Sequence, residues 1–342
     1  MGKNKEKKNV ITGNPLVKTI GTQKIVVVLV IILLALFFCI MSPSFRKYST
    51  VVSFFDYSYY VSFMAIGVTF ALITGGVDLS IGTGMIACGL FGGYLITQKG
   101  MPVVVGIIAS IALGLLFGLL NALLIAVMDL PPFIGSLGTM MVARGLGSIL
   151  TGGLSITWPS SNSPQGWFRK IFKIHIGNID FPIGVVFVVL AVIIMSVILN
   201  KSRPGRYIIA IGSNKEAAKL SGINVVRWQS LAYVISGLFT GVAGIAFSAI
   251  FQSIAPGTGA GVELDAIAGA IIGGTSMTGG YGTVVGTLLG VFVMSLLKTG
   301  LPYIGLQANW QQIITGIVLI VAVLIDVIKI VKAKRARSIE IG

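Results

Sequence analysis

The sequence predicts an all-α integral membrane protein with about ten transmembrane helices and both termini on the cytoplasmic side. Three observations lead there. Of 342 residues, 55% are hydrophobic and only 10% are charged, against roughly 25% charged in an ordinary soluble domain. The apolar residues come in long charge-free blocks: Ile25 to Met41, Met101 to Met128 and Phe181 to Asn200. Each is about long enough to cross a hydrocarbon core of ~30 Å as a helix. No alternating strand pattern of the outer-membrane barrel kind is present. Finally, 17 of the 25 Lys and Arg lie in three places: up to Lys24, between Lys201 and Arg227, and from Lys329 onward. If these share the cytoplasmic side, an even number of spans separates them.

The order of elements follows. A basic cytoplasmic tail (1–24) precedes a permeation-sized membrane domain (25–328), and a basic cytoplasmic tail (329–342) follows it. Ile25–Met41 goes out, Tyr57–Thr74 returns, Leu79–Thr97 goes out and Met101–Met128 returns. Asp129-Leu130-Pro131-Pro132 is a cytoplasmic turn, because consecutive prolines lack amide donors and end a helix. Phe133–Leu150 goes out to a polar external loop (151–180). Phe181–Asn200 returns to a long basic loop (201–227). Trp228–Ile250, Val262–Thr278, Thr283–Lys298 and Trp310–Ile328 complete the count. The first apolar block exceeds the ~7–15 residues of a cleavable signal core and lacks a small-x-small cleavage site after it, so it reads as a retained span.

Several chemistries are excluded or disfavoured. The net charge of +15 sits in tails and one loop beside membrane helices, where it sets topology and favours anionic lipid headgroups. No basic face with interleaved aromatics points to nucleic acid. Cys39 and Cys88 lie inside apolar blocks and read as small core hydrophobes. His175 is the only histidine, so a His-based metal site is out of reach, and no cofactor is expected. No Gly-x-x-x-x-Gly-Lys-Ser/Thr loop occurs, and Gly280-Tyr281-Gly282 runs into an apolar span without a lysine. No catalytic dyad or triad can be assembled. The chain reads as a non-enzyme, and any ATP-driven work belongs to another subunit.

Forty-five glycines are costly in soluble helices but let membrane helices approach closely. Gly89/Gly93, Gly114/Gly118, Gly237/Gly241, Gly269/Gly273 and Gly286/Gly290 each place two glycines on one helix face. Packing within the chain and a dimer contact both fit this spacing. Val77-Asp78-Leu79 and Val262-Glu263-Leu264 each open a glycine-rich span, as distant duplicates would.

In the basic loop, Ser213-Asn214-Lys215-Glu216 has the capping-box pattern, with Ser213 as cap and Glu216 reaching back. Ala217-Ala218-Lys219-Leu220-Ser221 suits two helical turns, and Gly222 supplies a left-handed stop. The residues themselves fit an ordinary surface helix as well as a docking element.

Glu216-Ala217-Ala218-x-x-x-Gly222 resembles the loop by which permeases of ATP-binding-cassette importers engage their ATPases. Its surroundings, Gly205-Arg206-Tyr207, Gly212-Ser213-Asn214 and Ser221-Gly222-Ile223, resemble the ribose/galactose/xylose branch of that family. Three further stretches agree in order and spacing: Thr74–Gly82, Pro131–Met140 and Glu263–Gly282. The resemblance covers roughly residues 50 to 328. It implies a multi-pass permease of the bacterial plasma membrane that moves a monosaccharide or small polyol. It also implies an ATPase subunit docked at Ser213, Asn214, Glu216, Ala217, Ala218 and Gly222, an external substrate-binding protein, and a homodimer or heterodimer of permeases. The alternatives are a nucleoside-type permease of the same class and an ion-coupled secondary transporter, which is also polytopic and glycine-rich.

Pathway or helix-break candidates are Gly75, Gly76, Asp78, Ser80, Glu263 and Asp265. Asp78 lies between apolar runs, where an acid is a functional suspect. It can also cap the helix that begins after the Gly75-Gly76 break, the role favoured for a neutral solute. Glu263 and Asp265 complement the positive end of a helix. Arg144, in the middle of the fifth span, must find a partner or reach an interface, and a structural ion pair, such as one with Asp78, is expected rather than contact with solute. Arg169, Lys170 and Lys173 cluster in the external loop, where they can meet either an acidic binding protein or lipid headgroups.

Overall fold

Among the described residues, 15–177 and 179–341 of the computed structural model, the chain forms twelve α-helices and two small two-stranded sheets. In chain order the helices are α1 (Pro15–Met41), α2 (Tyr48–Ile73), α3 (Ile81–Thr97), α4 (Val103–Asn121), α5 (Pro132–Thr151) and α6 (Gly184–Lys201). Then come α7 (Arg203–Ser213), α8 (Lys215–Leu220), α9 (Val225–Ile250), α10 (Val262–Ile272), α11 (Val284–Gly300) and α12 (Ala308–Ile341). Most of the basic N-terminal tail lies outside the described residues. The helical backbone of α12 continues through the expected C-terminal tail as far as Ile341.

Eight helices are long and apolar enough to cross a membrane, which makes this a multi-pass membrane protein and corrects the expected ten. The two that fall short are α3, with 17 residues, and α10, with 11. At 1.5 Å per residue, α10 reaches only ~16 Å. In the block Leu79–Thr97 only Leu79 and Ser80 lie outside the helix, whereas Val262–Thr278 is helical only as far as Ile272. Hydropathy cannot separate the two conformations, because burial in protein satisfies an irregular backbone as well as a helix does.

Helices α2 and α9 form the centre of the bundle and are buried along most of their length. Helices α1, α5, α6 and α12 are peripheral, with rows of exposed Ile, Val, Leu and Phe. All five small-residue pairs are spent inside the chain. A Cβ on Gly114 would come within 2.6 Å of the Gly241 amide nitrogen, and one on Gly118 within 3.0 Å of Gly237 Cα, so α4 and α9 cross backbone to backbone. On Gly273 it would lie 2.6 Å from Thr287 N, and on Gly290 2.8 Å from Gly273 N, which does the same for α10 and α11. Gly89 and Gly93 make room for Ser248 and Trp158.

One end of the bundle carries the connection between α5 and α6. Here β1 (Ile156–Thr157) pairs with β4 (Ser253–Ile254), and β2 (Ile174–Ile176) pairs with β3 (Ile179–Phe181). Trp158 is fully buried and donates through Nε1 to Gly89 O at 2.9 Å, pinning this loop to α3. The opposite end carries α7 and α8. The sequence predicts one short helix between Lys201 and Arg227. The structure places two there, the first capped by the Ser202 side chain accepting from Gly205 N.

Candidate functional site

The break after α2 builds a buried polar centre. Ile73 ends the helix, and Gly75 takes φ +82, a left-handed turn that a side chain would oppose. A non-helical lead-in through Leu79 and Ser80 then reaches α3. Within it Asp78 is 1% exposed. Its Oδ1 accepts from Ser80 N at 3.0 Å, Ser80 Oγ at 2.6 Å and Asn121 Nδ2 at 3.0 Å, and its Oδ2 accepts from Ser236 Oγ at 2.7 Å. Asn121 ends α4 where the helix loosens into a π-helical turn, Ala122–Val127, a distortion common where a helix side chain is re-aimed.

These contacts correct two expectations. Ser80 is the residue at the start of α3 and its side chain makes no capping bond there. Asp78 holds the lead-in itself rather than the first helical amides. Arg144 is exposed on α5 and makes no ion pair with any acid among the described residues. Asp78 is satisfied by four neutral donors instead. An arginine left in hydrocarbon near the middle of a span costs ~2.5 kcal/mol or more, so this exposed position is itself an observation to explain.

Beside Asp78 two buried polar atoms have no partner, Asn121 Oδ1 and Tyr233 OH, and Gln229 Oε1, further along α9, has none either. Gln229, Tyr233 and Ser236 lie on one face of α9, at intervals of four and three residues. Gly76 passes directly under Tyr233, whose Cζ would be 3.3 Å from an added Cβ, with Pro132 Cβ at 3.5 Å on the other side. Spare acceptors and hydroxyls beside a fixed carboxylate form a site suited to polar, hydrogen-bonding groups.

The second break faces the first. Glu263 and Asp265 lie in the first turn of α10. Glu263 accepts from Gly261 N at 3.1 Å. Asp265 is 1% exposed; Tyr57 OH donates to its Oδ2 at 2.5 Å, and Lys298 Nζ lies 3.2 Å from the same atom. Only Glu263 therefore behaves as an N-terminal acid alone, because Asp265 is spent on an ion pair between α10 and α11. Gly82, in the first turn of α3, packs on Gly259 O and Glu263 N, where a Cβ would sit 2.9 and 3.0 Å away. The starts of α3 and α10 meet.

The surface end is tied to both breaks. Helix α8 is capped by Asn214, whose Oδ1 accepts from Ala217 N at 2.9 Å. This corrects the expected cap at Ser213 and removes the capping box, since Glu216 is then the second helical residue and not the third. Ser213 Oγ instead donates to Ile209 O at 2.9 Å and reaches Gly280 O at 3.4 Å. Gly222 takes φ +79, the left-handed stop. Ala218 is buried with Ile211 and Val225, whereas Glu216 is exposed and Leu220 is 89% exposed. Gly212 sits against the end of α2, where a Cβ would come within 2.9 Å of Ile73 C and 2.5 Å of Gly280 N. Lys215 Nζ pairs with Asp129 Oδ1 at 2.8 Å. Asp326 of α12 accepts from Ser276 Oγ at 3.1 Å and Tyr281 OH at 2.5 Å, fixing the turn after α10.

At the other end the three loop cations separate. Arg169 donates to Pro159 O at 2.7 Å and Ala249 O at 2.8 Å, and Lys173 pairs with Asp56 at 2.6 Å. Lys170 alone among them is exposed. No group of three or more His, Cys, Asp or Glu fit to hold a metal occurs among the described residues.

Sequence reasoning missed Asn121, Ser236, Tyr233, Lys298 and Leu220. Helical spacing on α9 could have put Tyr233 and Ser236 on one face. Nothing local ties Asn121 to Asp78 or Lys298 to Asp265.

Comparison with known proteins agrees with this architecture. Residues 50–323 match the family described as branched-chain amino acid transport system / permease component. The ribose import permease protein RbsC of Bacillus subtilis (strain 168) is 35% identical over 305 residues, 89% of this chain and 92% of the relative. The galactose/methyl galactoside import permease protein MglC of Escherichia coli (strain K12) is 32% identical, over 91% of this chain and 95% of its own. The fructose import permease protein FruG of Bifidobacterium longum (strain NCC 2705) is 33% identical over 91% of each. A polytopic bundle matched along nearly its whole length to such proteins belongs to that family of membrane permeases.

Proposed function

We propose that this chain is the membrane-spanning subunit of an ATP-binding-cassette importer in the bacterial plasma membrane and moves a monosaccharide or related small polyol. The observation that carries the reading is the seating of α7 and α8. A surface element with an exposed Leu220 and Glu216 rests, through Gly212, Ser213 and Lys215, on the ends of both interrupted crossings. Such an element links a partner outside the membrane to the polar centre within it. The similarity to ribose, galactose and fructose import permeases supports a sugar as solute.

In this reading the α7–α8 end, both basic tails (1–24 and 329–342) and the 201–227 loop face the cytoplasm, following the distribution of Lys and Arg. A separate ATPase subunit binds α8, with Leu220 as its apolar anchor and Glu216 and Gly222 setting the helix's charge and end. An external binding protein delivers solute at the 151–180 loop. Of the cations there only Lys170 is free of the internal contacts described, so it is the one offered to an acidic partner. Asp78 and Ser80 hold the first break open to hydroxyl-bearing solute, with Gly75 and Gly76 giving the close backbone approach.

The test is reconstitution. Proteoliposomes holding the chain with its ATPase and binding protein should take up D-ribose, D-galactose or D-fructose only when ATP is supplied. Uptake driven by an ion gradient without the ATPase would replace this reading with a secondary transporter, and uptake of nucleosides in place of sugars would shift the solute class. Glu216→Lys combined with Gly222→Val should leave the chain inserted while abolishing solute-stimulated ATP hydrolysis.

A further inference from the structure

Helices α1 and α12 flank one side of the bundle without closing on each other: α1 packs chiefly on α11, and α12 chiefly on α10. Between them lies a cavity of about 430 Å³. Its floor includes Ile271 of α10 and Val293 of α11, 3% and 4% exposed. Its walls are Val30 and Leu34 on one side and Val321 and Ile325 on the other. One end is polar. There Gln23 Nε2 donates to Ile272 O at 3.2 Å, and Asp326 accepts from Ser276, Met277 and Tyr281 at the turn after α10.

The dimensions select the occupant. From Gln23 to Leu34 the groove follows α1 for about 16 Å, the depth of one leaflet in a hydrocarbon core of ~30 Å. A transmembrane helix of that length fills about 1,300 Å³ or more, far beyond the space present. Averaged along the groove, the cavity is about 5 Å across, room for one hydrocarbon chain whose carbons pack ~3.5–4.0 Å from their neighbours.

Charge near the polar end selects the headgroup. Lys24 follows Gln23 in the sequence, and Lys329, Lys332, Lys334, Arg335 and Arg337 follow Asp326. Lys and Arg beside a membrane helix attract anionic lipid. Asp326 does not oppose this strongly, because it is 8% exposed and both its oxygens are engaged by the turn after α10.

We propose that the groove between α1 and α12 is a binding site for one acyl chain of an anionic diacyl phospholipid, drawn from the leaflet on the side of the basic tails. The chain lies along Val30, Leu34, Val321 and Ile325, and its phosphate stays at the polar end. Filling the groove holds α12 at a fixed distance from α1, and with it the grip of Asp326 on the turn after α10. The site lies apart from Asp78 and from α8.

The experiment needs neither ATPase nor solute, so its outcome is separate from that of the importer reading. The full chain is reconstituted in vesicles containing phosphatidylglycerol with a diazirine midway along one acyl chain, irradiated, and the labelled residues are mapped. Label should reach the floor at Ile271 and Val293, which lipid around the outside of the bundle does not touch. Val30→Trp with Val321→Trp fills the groove and should lose most of that label. Leu33→Trp with Leu324→Trp, on the same helices but outside the groove (61% and 54% exposed), should keep it. Val321→Phe alone should lower the label if the first pair folds poorly. Phosphatidylglycerol should label the floor about fivefold more than phosphatidylcholine carrying the same diazirine, the factor expected from one cation near the phosphate. An unlabelled floor, or equal label in the two tryptophan pairs, would overturn the site. Equal label from phosphatidylcholine would overturn the anionic headgroup. Competition by free palmitic acid but not by unlabelled phosphatidylglycerol would replace the phospholipid with a fatty acid.

Discussion

At the first interrupted crossing, Asp78 lies in a non-helical segment and is held by four neutral donors from Ser80, Asn121 and Ser236. At the second, Asp265 lies inside a helix and is held by Lys298 and Tyr57. Both acids are 1% exposed, Asp78 just before α3 and Asp265 in the first turn of α10, and the two helices begin against each other. The difference is in what neutralises the charge. A carboxylate paired with an ammonium is a fixed strut between α10 and α11. A carboxylate held only by two hydroxyls and two amide N–H groups sits beside unpartnered Asn121 Oδ1 and Tyr233 OH. The first break is held by neutral hydrogen bonds and the second by an ion pair, although Asp265 Oδ1 is itself unpartnered.

The largest expected effect tests the strut. Lys298→Met leaves Asp265 buried without its cation and should cost about 3–5 kcal/mol of stability, read as detergent-solubilised thermal unfolding. Adding Asp265→Asn should recover most of it. If the single change costs less than the pair of changes, the ion pair is not what distinguishes the two breaks.

Next is the centre. Asp78→Leu strands the donors of Asn121 and Ser236, at about 1–3 kcal/mol for each buried hydrogen bond left unmade, and should abolish uptake. Asp78→Asn should keep most stability while uptake still falls. Equal losses of stability for Leu and Asn would make Asp78 a structural residue like Asp265.

Smaller is the cap. Asn214→Ala should cost about 1 kcal/mol, confined to α8, and appear as faster amide exchange at Ala217 with the bundle unaffected; Asn214→Ser should restore protection. Smallest is the surface pair. Lys215 beside Asp129 holds that carboxyl below its ordinary value. A depressed folded value means the pair's contribution is present above the ordinary carboxylate range and is lost only as pH falls through the folded value. Asp129→Asn should therefore leave unfolding temperature unchanged near neutral pH, as exposed ion pairs contribute little. A clear drop there would show that the α8 contact bears on the fold.

The helical class, the peripheral spans and the turn at Asp129 were legible because they depend on block composition and on proline. The short lengths of α3 and α10 were not, since an apolar run buried in protein reads the same whether helical or extended. The cap at Asn214 rather than Ser213 was a choice between two adjacent capable residues, decided by α7 running on to Ser213. Asp78 and Asp265 were visible singly, but their partners lie 43 and 158 residues away in one case and 33 in the other. Arg144 was legible as a problem, and its expected pairing with Asp78 failed because hydroxyls already fill that role.

The contact at Gly212 has a mechanical consequence. With no side chain between them, the end of α7 bears directly on the carbonyl end of α2 and on the Gly280 turn. Flexible side chains would act as springs there and absorb a small displacement. Bare backbone against bare backbone leaves little slack, so in the proposed importer a displacement of α7 would bear on the end of α2 and the Gly280 turn together.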